Sequence, residues 1–244
     1  MLMDRKCYFY RCYKHQFLQM PSKIAALRTA EQKAQTLFET MQQRGLICAG
    51  KSEKELNEAL FALAYELFGI KKYWHKRIVR SGKNTLLPYA ENPPNLILQE
   101  DDILFFDFGP VFDEWEADFG RTYVLGQDKQ KLKLQADTAL AWAEGKAYYA
   151  QHKATLTGAD LYQYTKHLAT RYGWTYGNEH CGHLIGNFPH EILLGEELVN
   201  YIHPENKEAM SAPAHNGEQR YWIYEIHFVD EQLGIGGFYE QLLD

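Results

Sequence analysis

Two acidic residues stand where the sequence predicts buried or closely paired strands. Residues 103–109 read Ile-Leu-Phe-Phe-Asp-Phe-Gly and are apolar on both strand faces, yet Asp107 lies in their middle. An unpaired carboxylate in a protein core costs several kcal/mol, so Asp107 needs a partner. That partner is either a metal ion or other cation, or a set of backbone amides.

Asp118 favours the metal. If residues 103–125 form a hairpin with its centre at 112.5, Asp107 and Asp118 are directly opposed, with Cβ atoms about 5 Å apart. Carboxylates at that range repel unless a multivalent cation lies between them, and the separation suits two metal ions about 3.5–4 Å apart. Asp113, Glu114 and Glu116 fall in or beside the turn, where we expect them to be solvated.

A second pair repeats this arrangement near the C-terminus. Glu225 and Glu240 are equidistant from a centre at 232.5, between two strand-like segments. A second hairpin would therefore place another opposed carboxylate pair on one face. A slip of one residue in the register would turn one carboxylate away.

His183 is the fifth candidate ligand. It lies between Gly182 and Gly186, whose missing side chains let the backbone approach a site closely, and His190 follows seven residues later. A lone histidine is more often structural, but four carboxylates nearby favour a metal ligand. Such an oxygen-rich set selects Mn, Co or Fe(II), with Zn as an alternative.

The elements that must position these residues follow from the hydrophobic periodicity. Apolar residues at three- and four-residue steps predict four helices: one ending near residue 44, one from Ser52, one over about 128–150, and one from Thr157 to about 172. The predicted apolar stripe of the third helix is Leu132, Ala136, Ala139, Ala143 and Ala147. Ser52 and Thr157 each begin a capping box. Residues 73–80, 95–98, 103–109, 116–125, 222–229 and 237–242 are typical of strands. We therefore predict one α+β domain over residues 21–244, with helices on a mostly antiparallel sheet.

Composition restricts the function classes. The 244 residues are 45% hydrophobic and 24% charged, and the net charge of −6 gives a nucleic-acid partner no electrostatic support. No stretch approaches the ~18 apolar residues of a membrane span. Charges interrupt residues 1–20, which we expect to form an irregular extension rather than a signal peptide. Four cysteines without a CxxC pair favour reduced thiols and a cytoplasmic location.

Taken together, these motifs resemble the pita-bread metallopeptidases, the family of methionine aminopeptidase, aminopeptidase P, prolidase and creatinase. The resemblance covers residues 21–244, corresponding to the family's catalytic domain. The two aspartates, eleven residues apart in Asp-Phe-Gly and Ala-Asp-Phe-Gly-Arg-Thr, are similar to its two-aspartate motif. Cys181 to His190 is similar to its glycine–histidine motif, and Glu225 and Glu240 fall where its two ligand glutamates belong.

The run Ile-Val-Arg-Ser-Gly-Lys-Asn at 78–84 resembles the aminopeptidase P and prolidase branch in particular. Three residues depart from that branch. Tyr89 stands where the branch usually has His, Ile226 where it has Pro, and Phe238 where it often has Arg. Since that arginine would help to read a substrate carboxylate, the departure weakens the case for dipeptidase activity.

The resemblance implies an Xaa-Pro aminopeptidase-like enzyme that uses two divalent metal ions, Mn or Co foremost, to activate a bridging hydroxide. It implies Asp107, Asp118, His183, Glu225 and Glu240 as ligands, with Glu225 also as proton shuttle. His190 would donate to the substrate carbonyl, and Tyr89 would offer a hydroxyl. The partner would be a peptide substrate, with a homodimer expected from relatives. Two alternatives stay open: a creatinase-like hydrolase of a small non-peptide C–N bond, and an inactive peptide-binding homologue.

Overall fold

The computed structural model describes residues 22–190, 197–214 and 216–244, so the predicted extension over residues 1–20 lies outside the described part. The helices are α1 (Lys23–Gln43), α2 (Glu53–Phe68), α3 (Lys129–His152) and α4 (Gly158–Tyr172). The strands are β1 (Ile78–Ser81), β2 (Ile103–Phe108), β3 (Val111–Phe112), β4 (Trp115–Glu116), β5 (Phe119–Val124), β6 (Thr175–Tyr176), β7 (Gly182–Ile185), β8 (Tyr221–Asp230) and β9 (Ile235–Leu242). Short 3-10 helices span Gly82–Leu86 and Leu198–Asn200.

One sheet organises the described chain. Its strands run in the order β1-β2-β5-β9-β8-β6, and β7 also pairs with β8. Every strand pair among the described residues is antiparallel. The predicted α+β architecture with an antiparallel sheet is confirmed, and β3 and β4 extend the β2–β5 hairpin as a separate two-stranded ribbon.

Helix boundaries follow the capping signals in the sequence. Ser52 and Glu55 form the predicted capping box, as do Thr157 and Asp160, so the first backbone amides of α2 and α4 have side-chain acceptors. Gly69 and Gly173 end these two helices in the left-handed conformation.

Strand alternation separates two hydrophobic cores from a shared polar face. In β2, Leu104, Phe106 and Phe108 pack in one core with α1 and α2. In β8, the even-numbered residues 222 to 228 pack in the other core with α3 and α4. Because successive side chains of a strand point to opposite faces, Asp107 and Glu225 lie on the face away from these helices.

The predicted buried stripe of α3 is wrong. Leu132, Ala136, Ala143 and Ala147 are exposed and Ala139 is half-buried, whereas the buried face carries Leu134, Asp137, Thr138, Ala141, Trp142, Gly145 and Tyr149. Alanine fits either face of a helix, so its spacing could not identify the packed one. Gly145 marks the packed face instead. A Cβ at this position would lie 2.2 Å from the Tyr224 hydroxyl, so α3 meets β8 closely at this glycine.

Two predicted strands were also misjudged. Residues 95–98 pair with the N-terminal end of α2 rather than with the sheet, since the Leu98 amide donates to the Lys51 carbonyl over 2.8 Å. Of residues 73–80, only those from Ile78 onward join β1. The preceding residues bend over β2, where the Trp74 amide donates to the Gly109 carbonyl over 3.0 Å.

Glu53 ties these irregular segments to α2, which yields a stability prediction. Its buried carboxylate accepts hydrogen bonds from the amides of Ser81 at 2.6 Å and Leu96 at 3.1 Å, and from the Asn84 side chain at 3.0 Å. Glu53→Ala leaves these buried donors without an acceptor, so the free energy of unfolding should fall by about 2–3 kcal/mol in urea denaturation.

The matched control is Glu58→Ala on the same helix. Glu58 has a side chain 61% exposed and an ion pair with Arg77, so its loss should cost less than about 0.5 kcal/mol. Equal losses in the two variants would show that the Glu53 hydrogen bonds do not fix the segments around β1.

Candidate metal centre

One cavity of about 710 Å³ opens on the face of the sheet opposite the helices. The residues singled out from the sequence all line it, namely Tyr89, Asp107, Asp118, His183, His190, Glu225 and Glu240. Their sequence separation exceeds 150 residues, so the tertiary fold, with the sheet and its connecting segments, brings them together.

The first hairpin has a different register from the predicted one. Asp107 pairs with Gly120, not with Asp118, which gives a centre at 113.5 instead of 112.5. Asp113 and Glu114 form the turn with positive φ angles of 50° and 67°. Because the partner shifts by two residues, Asp118 stays on the same face as Asp107 and lies diagonal to it.

Gly120 explains why this register suits a cluster of carboxylates. A Cβ at Gly120 would lie 2.5 Å from the Phe238 ring and 3.0 Å from the Glu240 Cβ. The position opposite Asp107 therefore has no side chain, which leaves room for the surrounding acidic groups.

The second hairpin has the predicted register. Glu225 pairs with Glu240 across β8 and β9, and Glu240 pairs with Gly120 across β9 and β5. These pairings bring Glu225 and Glu240 beside Asp107 and Asp118 at the centre of the sheet.

His183 reaches the carboxylates from β7. A Cβ at the preceding Gly182 would lie 2.1 Å from the Ile223 carbonyl oxygen, so a glycine is needed for this approach. The His183 Nδ1 donates to the Leu184 carbonyl over 2.8 Å, which directs Nε2 into the cavity. That Nε2 lies 3.1 Å from Asp118 Oδ2, 3.7 Å from Glu225 Oε1 and 3.9 Å from Glu240 Oε1.

Burial changes the protonation of the acidic cluster. Burial, together with the neighbouring carboxylates, raises the pKa of Asp107 to about 7 and that of Glu225 to about 8, and holds that of Glu240 well above its usual range. Burial would also raise the pKa of Asp118, but His75 and His183 beside it lower that pKa well below its ordinary value. In the metal-free protein the acids other than Asp118 therefore hold protons up to neutral pH or above, and a bound cation would have to displace them.

The donor groups fit divalent metal ions. Ligand atoms of Asp118, His183 and Glu240 lie within 4.8 Å of one another. Glu240 Oε2 is buried and accepts no hydrogen bond from any described residue, as expected for an oxygen whose partner is an ion. Carboxylates with an imidazole are the donors that Mn, Co and Fe(II) prefer.

His190 lies in the same cavity and is oriented by Glu116. We expected Glu116 to be solvated, and this was wrong: its side chain is 1% exposed. The carboxylate accepts hydrogen bonds from His190 Nδ1, from the His190 amide at 3.2 Å and from the Gly186 amide at 3.3 Å. The position of Glu116 two residues before Asp118, hence on the same strand face, was the available signal.

Tyr89 occupies the rim of the cavity. It is 47% exposed, and its hydroxyl accepts a hydrogen bond from the Lys76 amide at 3.3 Å. Its ring centroid lies 5.9 Å from that of His75. The hydroxyl therefore supports the segment that carries His75.

Sequence reasoning missed two cavity histidines. His75 Nε2 lies 3.1 Å from Asp118 Oδ1 and 3.6 Å from Asp107 Oδ1. His180 Nδ1 lies 3.6 Å from Glu225 Oε1. His75 has no regular spacing relation to the ligands, because it lies on irregular backbone. His180 stands three residues before His183, and this proximity was the available signal.

Cys181, beside the glycine–histidine motif, packs in the core. It is fully buried, and burial raises the pKa of its thiol, so the nucleophilic thiolate is disfavoured.

Four carboxylates and an imidazole from the sheet and its adjoining residues thus line one cavity of an α+β fold and form a candidate metal site. A family model described as metallopeptidase family M24 matches residues 25–214. The chain therefore belongs to metallopeptidase family M24.

Curated relatives and solved structures agree with this assignment. The chain is 27% identical over 168 residues to an Xaa-Pro dipeptidase of Pyrococcus horikoshii, covering 65% of this chain and 47% of that protein. It is 30% identical over 128 residues to an Xaa-Pro dipeptidase of Lactobacillus helveticus, covering 50% of this chain and 33% of that protein. The chain thus spans about half the length or less of these relatives.

Among solved structures, prolidase from Thermococcus sibiricus superimposes with a TM-score of 0.71 at 21% identity, covering 89% of this chain and 55% of that one. X-Pro aminopeptidase from Thermotoga maritima superimposes with a TM-score of 0.67 at 20% identity, covering 89% of this chain and 56% of that one. The predicted pita-bread fold is confirmed, as is the resemblance to the aminopeptidase P and prolidase branch. Among the described residues, no helix is both long and apolar enough to cross a membrane.

The pKa shifts predict how the metal-free protein responds to pH. The folded pKa of Glu225, about 8, exceeds its ordinary value, so the native state binds more protons than the unfolded state up to that pH. Burial alone would lower the pKa values of His75 and His183, but adjacent carboxylates raise both to about 9, so their contribution is lost as pH rises through 9. Asp118 is ionised throughout and adds no slope above pH 5. In EDTA, the free energy of unfolding should therefore fall from pH 5 to pH 9.

Urea denaturation at each pH, with EDTA or with Mn(II), measures this. Mn(II) should offset the decline increasingly as pH rises, because it binds the deprotonated carboxylates. Glu240→Gln, a neutral replacement of similar shape, should make the metal-free decline shallower. A metal-free protein that becomes more stable from pH 5 to pH 9 would contradict the shifted pKa values.

Proposed function

We propose that the chain is a peptidase that uses two divalent metal ions to release N-terminal residues from short peptides, foremost those with an Xaa-Pro bond. The observation that carries the proposal is the gathering of Asp107, Asp118, Glu225 and Glu240 with His183 in one cavity. Nothing in the core requires these four buried acids, and their mutual repulsion costs stability unless cations offset it.

These five residues are the proposed metal ligands, and Mn or Co are the ions that their donor atoms favour, with Fe or Zn as alternatives. Two such ions would supply a hydroxide near neutral pH and polarise the scissile carbonyl. The protein's part is to hold the ligands at fixed positions. Strands β2, β7, β8 and β9 carry four of them, and Asp118 directly precedes β5.

Glu225 is the proposed proton carrier. Its carboxylate lies in the cavity between His183 and His180, at 3.7 and 3.6 Å. From there it can take a proton from an attacking water and give it to the departing amine.

His190 is the proposed donor to the substrate carbonyl oxygen. Glu116 holds Nδ1, which leaves Nε2 as the ring nitrogen for a substrate, and the Trp74 ring lies against the imidazole at 5.3 Å between centroids. A ring fixed in this way can donate to developing negative charge without reorganising. Tyr89 is the proposed hydroxyl at the rim, where its exposure allows contact with a peptide.

The wall beside the carboxylates supports an apolar residue in the substrate. Ile78, Phe105 and Phe238 form a buried apolar cluster, and the two phenylalanine rings are 5.2 Å apart. A proline ring fits such a wall, whereas the terminal carboxylate of a dipeptide would lose its hydration against it. Arg80 lines the same cavity, but its guanidinium already donates to three backbone carbonyls. This feature favours aminopeptidase action on longer peptides, although the curated relatives are Xaa-Pro dipeptidases.

A cytoplasmic location and a homodimer stay predictions. So do the two alternatives to peptidase action, the creatinase-like hydrolase and the inactive binding protein, and both are outcomes of the first experiment.

A mixed library of dipeptides and longer peptides, digested with Mn(II) or Co(II) and read by mass spectrometry, tests the activity. The wild-type protein should shorten the longer peptides from the N-terminus, with Xaa-Pro sequences cleaved at least about tenfold faster than Xaa-Pro dipeptides. Asp107→Asn, which removes one charge from the cluster, should abolish the reaction and lower the metal content.

The other outcomes identify the alternatives. Faster cleavage of dipeptides would establish a prolidase-type specificity. An intact library despite two bound ions would refute the peptidase and direct attention to small guanidino or amide compounds. Absence of bound metal would favour the peptide-binding protein.

His190→Gln tests the carbonyl donor. Loss of this donor should lower kcat by about 10²-fold at nearly constant KM, because the interaction forms mainly in the transition state. Glu116→Gln, which only frees the ring, should have a smaller effect in the same direction. Metal content measured in both variants should equal that of wild type. A raised KM with an unchanged kcat would instead assign His190 to ground-state binding.

A further inference from the structure

We propose that His75 is a second imidazole ligand of the metal centre, so that two histidines, one on each side of Asp118, complete the site. The inference rests on the proposed metal centre and adds a residue that does not belong to the five ligands deduced from the sequence.

The His75 ring is directed at the carboxylates on the side opposite His183. Its Nε2 lies 3.1 Å from Asp118 Oδ1 and 3.6 Å from Asp107 Oδ1, and its side chain is only 7% exposed. Ligand atoms of His75, Asp107 and Asp118 lie within 4.8 Å of one another, as do those of Asp118, His183 and Glu240. The two groups of three share Asp118, whose Oδ1 faces one imidazole and whose Oδ2 faces the other.

Both histidines are oriented by the same local hydrogen bond. His75 Nδ1 pairs with the carbonyl of the next residue, Lys76, at 2.7 Å, and His183 Nδ1 pairs with that of Leu184 at 2.8 Å. A carbonyl acceptor requires the proton on Nδ1, so the neutral form of each ring directs the lone pair of Nε2 into the cavity. Fixing the tautomer in this way is the usual support for a metal-ligating histidine.

The segment that carries His75 is built into the site. The Trp74 amide donates to the Gly109 carbonyl over 3.0 Å, and the Trp74 indole donates to the Ala117 carbonyl over 3.0 Å. These acceptors lie two residues after Asp107 and one residue before Asp118. A Cβ at Gly109 would lie 2.1 Å from the His75 ring, so this glycine provides the space that the imidazole fills.

A second imidazole changes the metal preference. Four carboxylates with one imidazole form a hard donor set, whereas an imidazole for each ion raises the affinity for Zn, Co and Fe(II) relative to Mn. We therefore expect wild-type protein to discriminate against Mn(II) more strongly than a variant without His75.

Metal binding tests the assignment without reference to catalysis. Protein stripped with EDTA is reloaded with Mn(II) or Zn(II), and stoichiometry and affinity are measured by calorimetry and elemental analysis. Electron spin echo modulation of the Mn(II) protein counts the coordinated imidazole nitrogens. Wild type should bind two ions and show two imidazoles. His75→Gln should show one imidazole, and one ion should bind about 10–100-fold more weakly.

Two further variants separate ligation from packing. His190→Gln is the matched control, since its ring also lies against Trp74, and it should keep both ions and both ligating imidazoles. His75→Glu supplies an oxygen donor in place of nitrogen, so a folded variant should recover the second ion, lack the second imidazole signal and shift its preference toward Mn(II). Thermal unfolding with and without metal reports whether each variant is folded.

Three outcomes would overturn the proposal. Unchanged affinity and imidazole count in His75→Gln would show that the ring only packs. A wild-type protein that binds one ion, with a second ion gained in His75→Gln, would show that the imidazolium replaces a metal ion. Absence of metal in wild type would refute the proposed function as well. By contrast, two ions and two imidazoles in a protein that cleaves no peptide would refute the peptidase and leave the His75 ligand intact.

Discussion

The mutual repulsion of four buried carboxylates is the constraint on which this structure depends. Asp107, Asp118, Glu225 and Glu240 meet at the centre of a sheet, where the low dielectric strengthens every interaction between charges. Raised pKa values at three of the four show that the folded chain by itself favours protons there. The proposed metal centre rests on the same surroundings, because one divalent cation would satisfy several of these acids at once.

The rest of the fold holds this unfavourable cluster in place. Apolar residues alternate with the acids along β2 and β8 and pack against two pairs of helices, so the hydrophobic cores stabilise strands whose other face is charged. Glycines at 109 and 120 leave space for side chains of other segments that reach the site, and Gly182 leaves space for the backbone of β8. The cavity combines the acidic groups of the sheet with an apolar wall of Ile78, Phe105 and Phe238.

The sequence predicted the register of the β8–β9 hairpin correctly but not that of the β2–β5 hairpin. Glu225 and Glu240 flank a short connection, and simple symmetry about its centre gave the observed pairing. Asp107 and Asp118 flank the β3–β4 ribbon, whose turn at Asp113 and Glu114 lies one position further along than predicted. Asp107 and Asp118 still lie on the same face of the sheet, as predicted. Side chains of a strand return to the same face every two residues, so a shift of the pairing partner by two residues leaves the face unchanged.

The sequence by itself determined the helix ends, the α+β class and the residues whose chemistry is out of place in a core, since capping, periodicity and burial cost are local properties. Only the tertiary structure decided that Glu116 is buried under His190, that Leu134 rather than Leu132 faces the core, and that His75 joins the acids. These facts depend on contacts between segments far apart in the chain. His75 lies on irregular backbone, which has no period from which the direction of a side chain could be read.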